Sequence, residues 1–401
     1  MINSLGRGRE PLIDLAYLAA MRFFDNSAIN RIYLHSALQS MASNAGGVFV
    51  YIYLLKAGLA LPQVLLTIAC LMALRIVMRL IVLPVIRRIG LRNGVILGTL
   101  IEATSYVMLA QVHELGVWLV GYISVASLGT AFYWTCFHAI VARQGDAEHR
   151  GAQVSAREAI FAVTGIIGPL LGGLVLTFMG PFWAFACAAL FSVTSALPLL
   201  RGERLRIEPE ADLDARSKFY ASGLAFSDGL MAASVSFIWR IVLFQTLGES
   251  FENFGGAMAI AGLCGAIMGL VAGRLFDLGH HKRSLQMGAL AGASVVIAQV
   301  LGYHTAWSAI LANMISAIGL PLYMSALMSP FYNLGQTSAC SFRFNVVGEN
   351  GFDSGAGLGC AAAALFAWLA LPAAWPLLIG LIGCTSIYVL LLRLNASKPA
   401  V

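Results

Sequence analysis

The chain has 401 residues, of which 59% are hydrophobic and only 11% charged, with a mean hydropathy of +0.81 and a formal net charge of +6. A soluble globular domain carries about 25% charged residues, so this composition excludes one and indicates a polytopic membrane protein. The seven cysteines all lie in apolar runs without a C-x-x-C pair, which assigns them to packing rather than to redox or metal chemistry.

The first 31 residues scatter acidic and basic groups and lack the clean apolar core of a cleavable signal peptide. Within them, Pro11 to Phe24 reads as an amphipathic helix on the membrane surface. A membrane-crossing helix needs about 20 mostly apolar residues. That rule predicts an all-α chain with spans near 33–55, 63–86, 93–111, 116–141, 152–178, 181–200, 219–245, 252–276, 284–302, 306–332, 338–368 and 373–393. Basic residues fall on one side of this arrangement: Arg7, Arg9, Arg22 and Arg31, then Arg87, Arg88 and Arg92, Arg143 and Arg150, the central loop, Arg274, Lys282 and Arg283, and finally Arg393 and Lys398. The other side has one lysine, Lys56. The positive-inside rule makes the basic side cytoplasmic, with both termini there. The charge is therefore a topology signal, and no nucleic-acid partner is expected.

The one long polar segment, Arg201 to Lys218, divides an N-terminal bundle (32–200) from a C-terminal bundle (219–393), with a tail from 394. The halves repeat. "SAREAIFAVTGIIGPLLGG" from Ser155 aligns with "SFRFNVVGENGFDSGAGLG" from Ser341, pairing Arg157 with Arg343 and Gly165 with Gly351. Gly129 and Tyr133 pair with Gly319 and Tyr323 in the preceding spans. Six plus six helices imply two bundles with a path between them at mid-membrane.

Three local motifs carry a family resemblance. "LPVIRRIGLRNG" from Leu83 is similar to the short basic hairpin of the major facilitator superfamily through Arg88, Gly90 and Arg92, but has Leu83 and Arg87 where that hairpin has glycine and aspartate. "GRLFDLGHHKR" from Gly273 keeps the acidic position as Asp277. "GIIGPLLGG" resembles the antiporter motif of proton-coupled drug exporters through Gly165, Gly168, Pro169, Gly172 and Gly173, although Val125 stands where such exporters carry an arginine. The resemblance implies two pseudo-symmetric six-helix bundles and a secondary transporter. It also implies that the second and eleventh helices face each other.

Ionisable groups inside a bilayer are expensive and mark pathways or pairs. Arg75 and Arg79 share a face of the second span, and a rise of about 1.5 Å per residue puts Arg75 near the midplane. Asn345, Glu349 and Asp353 form a stripe along the eleventh span, with Glu349 at matching depth. Three readings stay open for the two carboxylates: a gate pair with Arg75, a shared proton site, or a static ion network. Glu102 is expected to neutralise Arg75 or Arg79. Asp228, in the seventh span, is a second candidate for proton coupling. Arg157, Glu158, Arg343, Arg88 and Asp277 are expected at an inner gate. His138, Tyr133, Trp134, Tyr323 and Asn345 are candidate cavity residues, with His138 equally readable as an interfacial anchor. Trp239 and Arg240 read as anchors at the outer interface.

No nucleotide-binding loop, H-E-x-x-H or G-x-S-x-G occurs, so neither an ATP-driven pump nor an enzyme is expected. The leading expectation is a secondary transporter that exports a small organic solute coupled to protons, working as a monomer in the lipid bilayer of a bacterial inner membrane, with no cofactor or metal. An anionic solute held by the intramembrane arginines is the alternative within transport. A non-transporting sensor or assembly factor is the alternative outside it.

Overall fold

The fold was obtained as a computed structural model that describes residues 27–144, 150–202, 205, 211–276 and 281–396, excepting the side chains of 27–29, 141–144, 150–159, 269–276 and 281–284. The Pro11–Phe24 segment and Asp277 lie outside the described residues, as do the side chains of Arg157 and Glu158. The described chain forms twelve helical spans. Nine hold helices long and apolar enough to cross a membrane. The first, third and eleventh fall short, because serine, glycine and charged residues dilute their apolar content.

The first span is helical over Ser27–Ala45, tightens into a 3-10 turn at Gly47–Phe49 and resumes over Val50–Lys56. The second (Leu61–Ile89) and third (Leu91–Leu109) meet at Gly90, whose φ of +81° suits glycine alone. A side chain at Gly90 would also stand 2.9 Å from the Leu205 carbonyl. The fourth (Val117–Gln144), fifth (Arg150–Phe178) and sixth (Pro181–Ala196) complete the first half. The seventh runs Ala215–Ala232, passes through a π-helical stretch at Ala233–Ile238 and ends over Trp239–Thr246. The remaining spans are Phe251–Phe276, His281–Gly302, Ala306–Thr337, Ser341–Trp368 and Ala374–Ala396. The π stretch and the 3-10 turn are departures from the uniform spans expected. Nothing in a hydropathy pattern distinguishes i→i+5 from i→i+4 bonding.

Small residues decide which helices touch. A Cβ on Gly98 would lie 2.6 Å from the Tyr133 nitrogen, and one on Gly129 would lie 2.8 Å from the Glu102 nitrogen, so the third and fourth spans cross backbone to backbone. Gly319, the repeat partner of Gly129, meets the ninth span at Val295 in the same way. The fifth span packs on the first through Gly168 and Gly172 and on the eighth through Gly173. Its repeat partner, the eleventh, packs on the seventh through Gly351 and Gly355 and on the second through Gly357. The motif Gly168–Pro169–Gly172–Gly173 is thus a close-approach surface joining the two halves.

On the face away from the central loop, one apolar core draws on both halves. It includes Val48, Phe49, Leu54, Phe185, Trp239, Phe244, Phe254 and Ala356. Phe49 and Phe254 pack edge to face with centroids 5.5 Å apart. Lys56 and Glu249 form an exposed ion pair of 3.5 Å above them. The far face is therefore shut. On the loop face, Leu205 accepts from the Leu91 N–H at 2.9 Å, and Arg92 donates to the Gly202 carbonyl. Asp214 caps the seventh span by accepting from the Ser217 N–H at 3.1 Å.

Candidate functional site

The second span carries Arg75 and Arg79 to the face that meets the eleventh. Arg75 and Arg79 are almost wholly enclosed, with relative exposures of 7% and 1%, and Asp353 has none. Arg75 Nη2 stands 3.4 Å and Arg79 Nη2 3.2 Å from Glu349 Oε2. Arg75 Nη1 lies 3.2 Å from Asp353 Oδ1, and Arg79 Nη1 lies 2.6 Å from Asp353 Oδ2. The Asp353 contacts are charge contacts with poor hydrogen-bond alignment. Arg79 directs its aligned Nη1–H to Asn350 Oδ1 at 2.8 Å instead. Two cations and two anions thus close a neutral square between the halves. The spans run in opposite directions, so successive arginines meet successive carboxylates.

The expected Arg75–Glu349 contact is present, but the square is larger than that pair. Asp353 bridges both arginines and is the more deeply buried carboxylate. Glu349 keeps a side-chain exposure of 18%, and His138 Nε2 approaches its Oε1 at 3.5 Å. The His138 ring stacks on Trp134 with centroids 5.3 Å apart, which makes it a neighbour of the charge cluster and not an interfacial anchor. Asn345 lies two turns from Asp353 and stays outside the square, partly buried. Asn350 was the missed member. Its spacing of three from Asp353 places it on the same face, a signal overlooked beside the stronger one of charge.

Glu102 stands within electrostatic reach of Arg75 but forms no direct ion pair with either arginine. It accepts from Gln39 Nε2 at 2.9 Å, and Gln39 Oε1 accepts in turn from Ser192 at 3.2 Å and Ser195 at 3.0 Å. His35 donates from Nδ1 to the Ser195 carbonyl at 2.7 Å. This buried polar cluster in the first half was not anticipated, because each member is a single polar residue in an apolar run. Asp228 accepts from the Tyr323 hydroxyl at 2.9 Å, across the seventh and tenth spans. Tyr323 is therefore buried inside the second bundle, where it lines a small pocket with Leu285, Cys384 and Leu391. Tyr133 is likewise buried, stacked on Phe137 at 5.2 Å. Trp239 is 1% exposed and donates to Asn313 Oδ1 at 3.0 Å, which corrects its expected place at the outer interface.

At the loop face, Arg343 forms an ion pair with Asp212 of the central loop, and Arg88 is exposed at the end of the second span. No group of three or more metal-ligating side chains occurs among the described residues.

Residues 32–348 match the family model described as Major Facilitator Superfamily. The chain belongs to the major facilitator superfamily. It is accordingly a membrane transporter and not an enzyme. Among solved structures, this superfamily member is similar to a POT family transporter in complex with 5-aminolevulinic acid, with a TM-score of 0.70 at 13% identity, covering 92% of this chain and 96% of that one. A second similar structure is a POT family transporter in complex with a thioalcohol-conjugated peptide, with a TM-score of 0.68 at 14% identity and the same coverage. At such identity the likeness is one of fold. No curated protein sequence matches the chain.

Proposed function

We propose that the protein moves a small organic solute by alternating access, coupled to protons and in the export direction, with the Arg75–Arg79–Glu349–Asp353 square as the gate that proton binding opens. The observation that carries this reading is the square itself: a neutral, buried set of charges contributed by opposite halves, one of whose anions remains accessible. The basic loops assign the loop face to the cytoplasm, so the described conformer is closed to the outside. A proton on Glu349 leaves two cations facing one anion. That imbalance in a low-dielectric interior favours separation of the second and eleventh spans. His138, 3.5 Å from the accessible oxygen, is the group through which the proton arrives. The export direction is taken from the resemblance of the fifth span's glycine–proline motif to that of proton-coupled exporters, and its glycines pack closely on the first and eighth spans.

The test is flux in proteoliposomes under an imposed pH gradient, using the solute found by comparing metabolites of expressing and deleted cells. Glu349→Gln should abolish gradient-driven accumulation while solute exchange at equal pH persists. Accumulation by Glu349→Gln at the wild-type rate would remove Glu349 from the coupling step.

A further inference from the structure

The four charges of the square neutralise one another, which leaves the question of what Arg240 does. It lies in the seventh span directly after the π-helical stretch Ala233–Ile238. Among the described residues it has neither an ion pair nor a hydrogen bond. It keeps accessible surface while its chain neighbours Trp239 and Ile241 are buried. Ala232, Ser236 and Arg240 are partly exposed at intervals of four, with Phe237 beside them, while Ala233 to Val235, Ile238, Trp239 and Ile241 to Phe244 are buried. The accessible strip is thus a single line. Residues four apart share a face of a helix, so Ala232, Ser236 and Arg240 lie along one side of the span.

The strip faces the other half. Phe237 packs edge to face on Tyr51 of the first span with centroids 5.9 Å apart. Tyr51 stands within electrostatic reach of both Arg240 and Arg75, which places Arg240 on the far-face side of the same interface as the square. The Tyr51 side chain is also partly accessible and has no hydrogen-bond partner among the described residues. A partly enclosed cation without an anion is costly, and an anion that visits it relieves that cost.

We propose that Arg240, with Tyr51 opposite it, is the holding point for the acidic group of the transported solute, and that this solute is an organic acid bearing a carboxylate or phosphate on an apolar or aromatic body. The guanidinium fork matches either oxyanion with two parallel hydrogen bonds. Phe237 and Tyr51 offer ring faces to the rest of the molecule. The inference rests on the transporter reading and supplies its substrate class. It moves the anion site from Arg75 and Arg79, whose charges are already met, to the arginine whose charge is not.

The experiment is thermal unfolding of the full-length protein in detergent, titrated with benzoate, phenyl phosphate and inorganic phosphate, with benzylamine and benzamide as cationic and neutral counterparts. Benzoate or phenyl phosphate should raise the melting temperature in a saturable manner, and benzylamine and benzamide should not. The carboxylate and phosphate arms report which head group is preferred, and inorganic phosphate reports whether the apolar body matters. Arg240→Gln should raise the half-saturating concentration about tenfold or more, as loss of a charge-assisted contact requires. Arg240→Lys should fall between, and Tyr51→Phe should weaken binding with an unchanged ligand-free melting temperature. Equal anion responses in wild type and all three variants, a preference for benzylamine, or no response to any anion would overturn the site. Arg240-dependent binding without flux in proteoliposomes would instead defeat the transporter reading and leave the site standing.

Discussion

Replacing Asp353 with asparagine keeps the shape of the side chain and removes one of the two anions that hold Arg75 and Arg79. The carboxylate oxygens lie 2.6 Å and 3.2 Å from the two guanidinium groups. At about 3 Å and an effective dielectric of about 20, each contact is a gross attraction of about 5 kcal/mol. Desolvation offsets most of that, and removing one partner of a buried pair costs about 3–5 kcal/mol net. The contacts join spans of opposite halves, so the loss falls on the conformer that is shut at the far face and leaves each bundle intact. A cost of about 3 kcal/mol corresponds to a change of about a hundredfold in the ratio of shut to open molecules. The assay is maleimide labelling of a Val48→Cys variant, with all seven native cysteines replaced, since Val48 is buried in the far-face core. Asp353→Asn should raise the labelling rate at least tenfold. Adding Arg79→Gln restores a balanced Arg75–Glu349 pair and should recover part of the loss, with a coupling above about 1 kcal/mol in a double-mutant cycle. An unchanged labelling rate together with additive effects would refute the gate.

Other consequences follow from single contacts. Tyr323→Phe strips the buried Asp228 of its hydrogen bond and should lower stability by about 1–3 kcal/mol in thermal or denaturant unfolding. A side chain at Gly255 would meet the Pro169 carbonyl at 2.4 Å, whereas one at Gly256 meets nothing within 4 Å. Gly255→Val should therefore increase far-face labelling, and Gly256→Val should leave it unchanged. The Asp214 carboxyl is held below its usual range by hydrogen bonds from Ser217. A carboxylate with a lowered folded value adds stability that is complete above about pH 4, near its unfolded value, and disappears as pH falls through the lowered one. The melting difference between wild type and Asp214→Ala should accordingly be full at neutral pH and vanish on acidification, and a pH-independent difference would contradict the cap.

Much of this protein is written along one dimension. Twelve apolar stretches, the basic side and the repeat are visible because hydropathy, charge bias and glycine spacing are properties of local sequence. Arg75 and Glu349 could be set at one depth because an α-helix rises by a constant amount per residue. Depth along a helix does not determine rotation about it or the choice of neighbour, and those decided the rest. Asp353 became the most deeply held carboxylate because both arginines of the second span converge on it. Tyr323 turned into its own bundle to meet Asp228, a residue 95 positions away. Glu102 found Gln39, not an arginine. Trp239 was misread as an outer anchor because its burial against Asn313 depends on the tenth span, 74 positions away, on which composition is silent. The sequence determined where charge enters the membrane. Only the tertiary structure decided which charges cancel, because cancellation depends on distances of a few ångströms between residues far apart in the chain.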